Sequence, residues 1–257
     1  MRFFALIGCL VLLGFMRVPG AWTPIDLESA TVAQWKLNEN TTDYTLYDSK
    51  STKNGLLLNG ASYQYTNAAG TPHHVTGKVD GAIDFDGVND YVSVAYHFPQ
   101  ANYALAFWIY YTRPASGIVA EMGNASYRNF QVRIYGTDLG ADQYKLNFGM
   151  YDGTAWRTVL STSTVPENQW VHVVAQLTGT KLQIYFNGSE VGSTSWTGSA
   201  TTAATQAMVI SKSVVSSSFY FACKLDDMRY HNRALTDEEI RFIYNLGTGR
   251  EDRSGTL

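Results

Sequence analysis

The feature that most limits what this chain can fold into is its last apolar run and the segment that follows. Phe221-Ala-Cys-Lys-Leu-Asp226-Asp227-Met-Arg-Tyr230-His-Asn-Arg-Ala-Leu235 leads into Thr236-Asp-Glu-Glu239-Ile240. A β-rich stretch carrying two adjacent carboxylates passes directly into a helix start. Thr236 and Glu239 have the spacing of a capping box, and Leu235 and Ile240 that of a hydrophobic staple. Ile240, Ile243 and Tyr244 repeat at helical spacing, with Gly247 as the stop. Upstream, strand signals dominate, so one short helix closes an otherwise all-β chain.

Composition agrees with many short strands and tight turns: 17 Tyr, 6 Trp and 22 Gly in 257 residues, with 16% charged. Strand-like runs at Ala82–Phe85, Tyr91–Val94, Ala104–Tyr110, Ile118–Met122, Phe130–Tyr135 and Tyr144–Met150 continue through Trp156–Leu160, Trp170–Gln176, Lys181–Phe186, Met208–Ile210 and Phe219–Tyr230. Asp152-Gly153 and Asn187-Gly188 are pairs suited to type I′ hairpins. The expected fold is therefore all-β, a two-sheet antiparallel jelly-roll sandwich with one short C-terminal helix.

Arg2 followed by the apolar run Phe3 to Met16 reads as a secretory leader, so residues 1–20 are assigned as a signal peptide or signal anchor. Residues 21–30 form a lead-in, 31–247 the sandwich and 248–257 a polar tail. Without residues 1–20 the chain keeps 17 basic and 22 acidic residues, net −5, and no membrane span. No basic excess exists to displace phosphate counterions, which argues against nucleic acid as partner. Cys223 is then the only cysteine, so a secreted domain is held by core size or by a bound cation rather than a disulfide.

Five blocks in order resemble the laminin G-like domains of the concanavalin A-like lectin/glucanase superfamily. They are Gly77-Lys-Val-Asp-Gly-Ala-Ile-Asp-Phe-Asp86-Gly-Val-Asn-Asp90-Tyr-Val92, Leu105-Ala-Phe-Trp108-Ile, Trp170-Val-His172-Val-Val, Leu182-Gln-Ile-Tyr185-Phe-Asn187-Gly188, and Leu225-Asp226-Asp227 through Leu235. Cys223 departs from the pattern, standing where the family has Gly. The resemblance covers about residues 31–247 and implies the concanavalin A-like sandwich. It does not by itself imply an activity. It also implies a structural Ca²⁺ between an early loop and the Asp that opens the last block. Carried over, the ligands are Asp226 with Asp48, Asn54 and Gly55.

Glucanases of this fold carry three carboxylates alternating on one strand, whereas Ala82-Ile-Asp84-Phe-Asp86 has Ala at the first position. Asp86 also opens an Asp-Gly turn. The chain is thus expected to be no enzyme, and its catalytic residues none. His172, inside an apolar strand, reads as a structural histidine. Sugar rings are bound by flat aromatics beside polar groups. Trp156, Trp196, Tyr127 and Tyr135 are the aromatics least explained by strand alternation and are the candidate ligand-binding residues. The expected function is a secreted or cell-surface, non-catalytic recognition module for a glycan or glycoprotein surface. The alternative is an adhesion or assembly protein that docks on protein partners, and a glycoside hydrolase ranks last.

Overall fold

The computed structural model describes residues 14–18, 21–25, 27–39, 44–59, 74–96, 102–123, 128–198, 207–216 and 219–246. In chain order the first strands are β1 (Gly14–Val18), β2 (Ala21–Ile25), β3 (Thr31–Trp35), β4 (Thr45–Leu46), β5 (Gly55–Asn59) and β6 (His74–Thr76). Next come β7 (Gly81–Asp86), β8 (Asp90–Val94), β9 (Tyr103–Tyr110), β10 (Gly117–Gly123), β11 (Arg128–Ile134) and β12 (Lys145–Tyr151). The series ends with β13 (Trp156–Thr164), β14 (Trp170–Leu177), β15 (Lys181–Phe186), β16 (Ser189–Ser195), β17 (Met208–Ile210), β18 (Ala222–His231) and helix α1 (Asp237–Leu246).

All but the first two strands form two antiparallel sheets. One runs β16-β15-β14-β9-β18-β7-β6, with β3 also paired to β18; we term it the helix-side sheet. The other, the open sheet, runs β13-β12-β11-β10-β17-β8-β5-β4. Consecutive strands fall on different sheets at several crossings, as a jelly roll requires. Beside them β1 and β2 form a separate two-stranded ribbon, with Val18 opposite Ala21.

Alternation makes the core. In β8, Val92 and Val94 are buried while Tyr91 and Ser93 are half-buried, the pattern of a strand with one face inward. The inner faces of both sheets supply Trp35, Phe85, Phe107, Phe130, Phe148 and Tyr230 to one continuous core. Tyr103 stacks on Tyr230 at 5.5 Å and meets Phe148 edge-on at 6.1 Å, favoured offset and T-shaped geometries. Trp35, Trp108 and Tyr185 are buried, as the sequence suggests. Trp170 is half-buried and packs edge-on against Tyr110.

The helix start is the one the sequence specifies. The Glu239 amide donates to Thr236 Oγ1 at 3.2 Å, and the Thr236 amide donates to the Glu239 carboxylate at 2.8 Å. Arg233 holds the same carboxylate through two guanidinium nitrogens at 2.7 and 2.8 Å. Leu235, Ile240 and Ile243 form a second cluster with Ala104, Ala106, Val174 and Tyr185. Helix α1 therefore lies on the outer face of the helix-side sheet. This explains why seven of the eight residues of β9 are buried: both its faces are covered.

The Asn187-Gly188 hairpin between β15 and β16 has positive φ at both residues (49° and 82°), as a type I′ turn demands. The Asp152-Gly153 turn differs: only Gly153 has positive φ, 93°, because the Asp152 carboxylate accepts from the Thr154 and Ala155 amides and organises the loop itself. No helix among the described residues is long and apolar enough to cross a membrane.

Candidate functional site

Antiparallel partners sit side by side on one face of a sheet. Across the open sheet one row of partners runs Ser93, Val209, Glu121, Gln131, Gly149, Thr158. The residues alternating with them, among them Val92, Ile210, Ala120, Phe148 and Val159, belong to the core. The row therefore lies on the outer face. From Ser93 to Gly149 it spans four strand spacings, roughly 19 Å.

At the β8–β17 end of this row opens a cavity of about 480 Å³, lined by Tyr91, Ser93, Val209, Lys212, Ser213 and Ser216. The Lys212 ammonium stands 4.1 Å from the Tyr91 ring centre and 5.3 Å from that of Tyr220. The two rings are 6.1 Å apart and tilted by 48°. A backbone bridge between Lys212 and Tyr220 fixes this grouping.

In the middle of the row Glu121 is fully buried, and its carboxylate is matched on both oxygens. Oε1 accepts from Gln131 Nε2 at 2.7 Å and faces Arg128 Nε at 3.2 Å. Oε2 accepts from Ser213 Oγ at 3.1 Å and from the Val214 amide at 2.7 Å. A buried charge persists only when paired and hydrogen-bonded in this way. Glu121 thereby fastens the 211–216 loop over the sheet and shapes one wall of the cavity.

At the far end of the row the indole of Trp156 lies against Gly149, where an added Cβ would be 2.5 Å from Cζ2. Trp156 is half-buried and remains on the candidate face. The other sequence candidates fare differently. Trp196 is 4% exposed and part of the core, its amide donating to the Thr180 carbonyl, so it is withdrawn as a ligand-binding residue. Tyr135 is half-buried, with the Arg133 guanidinium over its ring at 5.1 Å. Tyr127 lies outside the described residues.

Carboxylate chemistry on this scaffold would need two acids flanking a bond. The direct neighbour of Glu121 is Gln131, an amide. On the helix-side sheet Asp84 is paired with Lys224 at 2.6 Å, and Asp86 Oδ1 accepts from the Val88 amide in the Asp-Gly turn. His172 is buried against Trp108 and Tyr244, and burial pushes its pKa down to about 3, Asp227 opposing. It is a neutral ring packed beneath the helix.

The four residues expected to hold a cation form two separate arrangements. Asp48 Oδ1 accepts from the Gln34 and Lys50 amides, and Oδ2 accepts from Ser51 Oγ and the Lys53 amide. Asn54 Oδ1 accepts from the Asp48 amide, and Gly55 lies in the β4–β5–β8 ladder, where an added Cβ would meet Val92 at 2.7 Å. Protein donors already occupy Asp48 and Asn54, which knot the loop onto β3. Asp226 is different. Its Oδ2 accepts from the Lys78 and Val79 amides, while its fully buried Oδ1 has no hydrogen-bond partner among the described residues. Burial pushes this carboxyl up to about 7.

A second buried carboxylate oxygen, Glu39 Oε2, also has no hydrogen-bond partner among the described residues, and burial raises that carboxyl too, with backbone hydrogen bonds opposing. Asp226 and Asn38, the neighbour of Glu39, pack against the two ends of the 77–81 turn. An added Cβ at Gly77 would meet Asp226 Oδ2 at 2.6 Å, and one at Gly81 would meet the Asn38 Cβ at 2.9 Å. The donor chemistry thus fits a cation at Asp226, and fits poorly at Asp48, Asn54 and Gly55. Among the described residues no cluster of three or more His, Cys, Asp or Glu is placed to hold a metal, so backbone carbonyls would have to complete such a site.

The sequence reading missed Tyr91, Lys212 and Glu121. Glu121 did leave a trace, as the one acid inside the apolar run Ile118-Val-Ala-Glu-Met122.

Comparison with known proteins follows the geometry. The profile described as the concanavalin A-like lectin/glucanases superfamily, of laminin G type, matches residues 86–241. The chain belongs to that family. No curated protein matches the sequence. Domain 4 of AbnA, a GH43 extracellular arabinanase from Geobacillus stearothermophilus solved with arabinotriose, superposes with a TM-score of 0.63 at 17% identity, over 84% of this chain and 98% of that one. The binding domain of Paraclostridial mosquitocidal protein 1 gives 0.62 at 14% identity, over 86% of this chain and 53% of that one. The botulinum neurotoxin serotype D ligand-binding domain, solved with N-acetylneuraminic acid, gives 0.58 at 12% identity, over 85% and 51%. The chain spans about half the length of these toxin domains. At such identities the likeness establishes the fold.

Proposed function

We propose that this protein is an exported, non-catalytic carbohydrate-binding module whose site is the outer face of the open sheet. The observation that carries the reading is the cavity beside Tyr91 and Lys212, at the β8–β17 end of the open sheet's outer face. An aromatic face, hydroxyls and a cation converging on one concavity are what a sugar ring requires. Structural neighbours solved with arabinotriose and N-acetylneuraminic acid support the choice of ligand. The apolar segment Phe3 to Met16 supports export. A glycan array with the leaderless protein tests it: saturable binding that Tyr91→Ala removes is expected, and no binding to any glycan overturns the reading.

The same proposal includes a structural divalent cation held by Asp226 with backbone carbonyls. Calcium at about a hundred times its dissociation constant would add about 2.7 kcal/mol of stability. Thermal unfolding in calcium and in chelator should show this rise in the native protein and in Asp48→Ala, and its loss in Asp226→Asn. A native midpoint indifferent to calcium overturns it.

A further inference from the structure

We propose that the cavity beside Tyr91 selects an acidic sugar, one bearing a carboxylate or sulfate that meets the Lys212 ammonium. The inference rests on the reading of that cavity as a glycan site and adds the ligand's charge. Lys212 is half-buried, and no carboxylate among the described residues lies within ion-pair distance of it. The chain around it explains why. From Val191 to Leu225, which supplies β17, the covering loop and Tyr220, there is no Asp or Glu at all. The one acid on the floor, Glu121, already faces Arg128 and has both oxygens held by Gln131, Ser213 and Val214. The cavity is thus left with one uncompensated positive charge.

The rings fix where that charge points. Tyr91 and Tyr220 lie under the ammonium and hold it by their negative faces. An ammonium has three donors and no acceptor, so those turned away from the rings need an acceptor from outside. A ring sugar with an acidic group at one edge matches this layout. The anion reaches Lys212, which the rings hold in place, and hydroxyls are read from Ser93. A nucleic acid does not match, because a lone lysine on a chain of net charge −3 offers no track of phosphate contacts.

The experiment is calorimetric titration of the whole protein with matched neutral, uronate-bearing and sulfated oligosaccharides at low and high salt. The acidic members should bind at least about tenfold more tightly than the neutral one, with an advantage that shrinks as salt rises. Lys212→Gln should reduce acidic binding to the neutral level, and Lys212→Arg should preserve the preference. A stronger response to the uronate or to the sulfated series identifies the anion, and either supports the proposal. Equal affinity for neutral and acidic sugars, or a preference surviving in Lys212→Gln, overturns it and leaves the glycan module standing. Binding of none overturns both. Should Lys212→Gln fail to fold, the salt dependence of the native protein decides.

Discussion

On the helix-side sheet, the outward residues Ala104, Ala106, Val174 and Tyr185 are small or apolar, and α1 lies on them. On the open sheet the outward row is Ser93, Val209, Glu121, Gln131, Gly149 and Thr158, and a loop tied down by one buried carboxylate covers its centre. Both sheets share one core and the same strand alternation. What differs is how each outer face is finished: one is sealed by hydrophobic burial, the other by polar pairing that leaves a cavity. Burial of apolar area is non-directional and serves stability. A polar floor contributes little net stability but sets out oriented groups that a ligand can read.

Substitutions should separate the two faces. The largest expected effect is on the sealed face. Ile240→Ala removes a fully buried staple residue and should cost about 2–5 kcal/mol in denaturant unfolding, with glycan binding intact in the protein that remains folded. On the open face the effect should fall on binding. Tyr91→Ala should lower glycan affinity by about tenfold or more, as loss of an aromatic anchor does, while unfolding free energy changes by about 1 kcal/mol or less.

The helix start was legible in the sequence because capping depends on spacing within four residues, and Thr236, Glu239, Leu235 and Ile240 all perform as that spacing specifies. The sandwich was legible through ordered blocks and alternation. The site was not, because a period of two tells which residues share a face but not what folds over it. Trp196 stands in a Ser/Thr/Gly-rich run that reads as a loop, yet it closes the core beyond the end of β16. Glu121 and Ser213, 92 residues apart, meet only through the β10–β17 pairing, which no local pattern announces. Asp226 could be found from its block.

Two buried groups, one on each sheet, titrate in opposite senses. Burial under α1 holds His172 down to about 3 from 6.5, with Asp227 opposing and Arg229 reinforcing. The folded state thus rejects a proton that the unfolded chain accepts, so this contribution is full above pH 6.5 and falls as pH drops toward 3. Asp90, at the head of β8, is pushed up to about 7 from 3.8 by burial, with the negative charge of Asp86 adding to the rise. Its contribution is full below pH 3.8 and is lost as pH rises through about 7. Thermal midpoints from pH 4 to 8 should therefore fall less on the acid side in His172→Gln and less on the neutral side in Asp90→Asn. Unchanged profiles in both would contradict the assignment. The smallest effect belongs to Asp84→Asn, which breaks a partly exposed pair with Lys224 and should cost under about 1 kcal/mol in unfolding.

The central claim, that ligand binds the open face and not the sealed one, is tested most directly by amide hydrogen exchange with and without a glycan that binds. The account predicts added protection in β8, β17 and the 211–216 loop, with β14, β15 and α1 unchanged. Protection confined to β14, β15 and α1, with β8 and β17 unaffected, would contradict it.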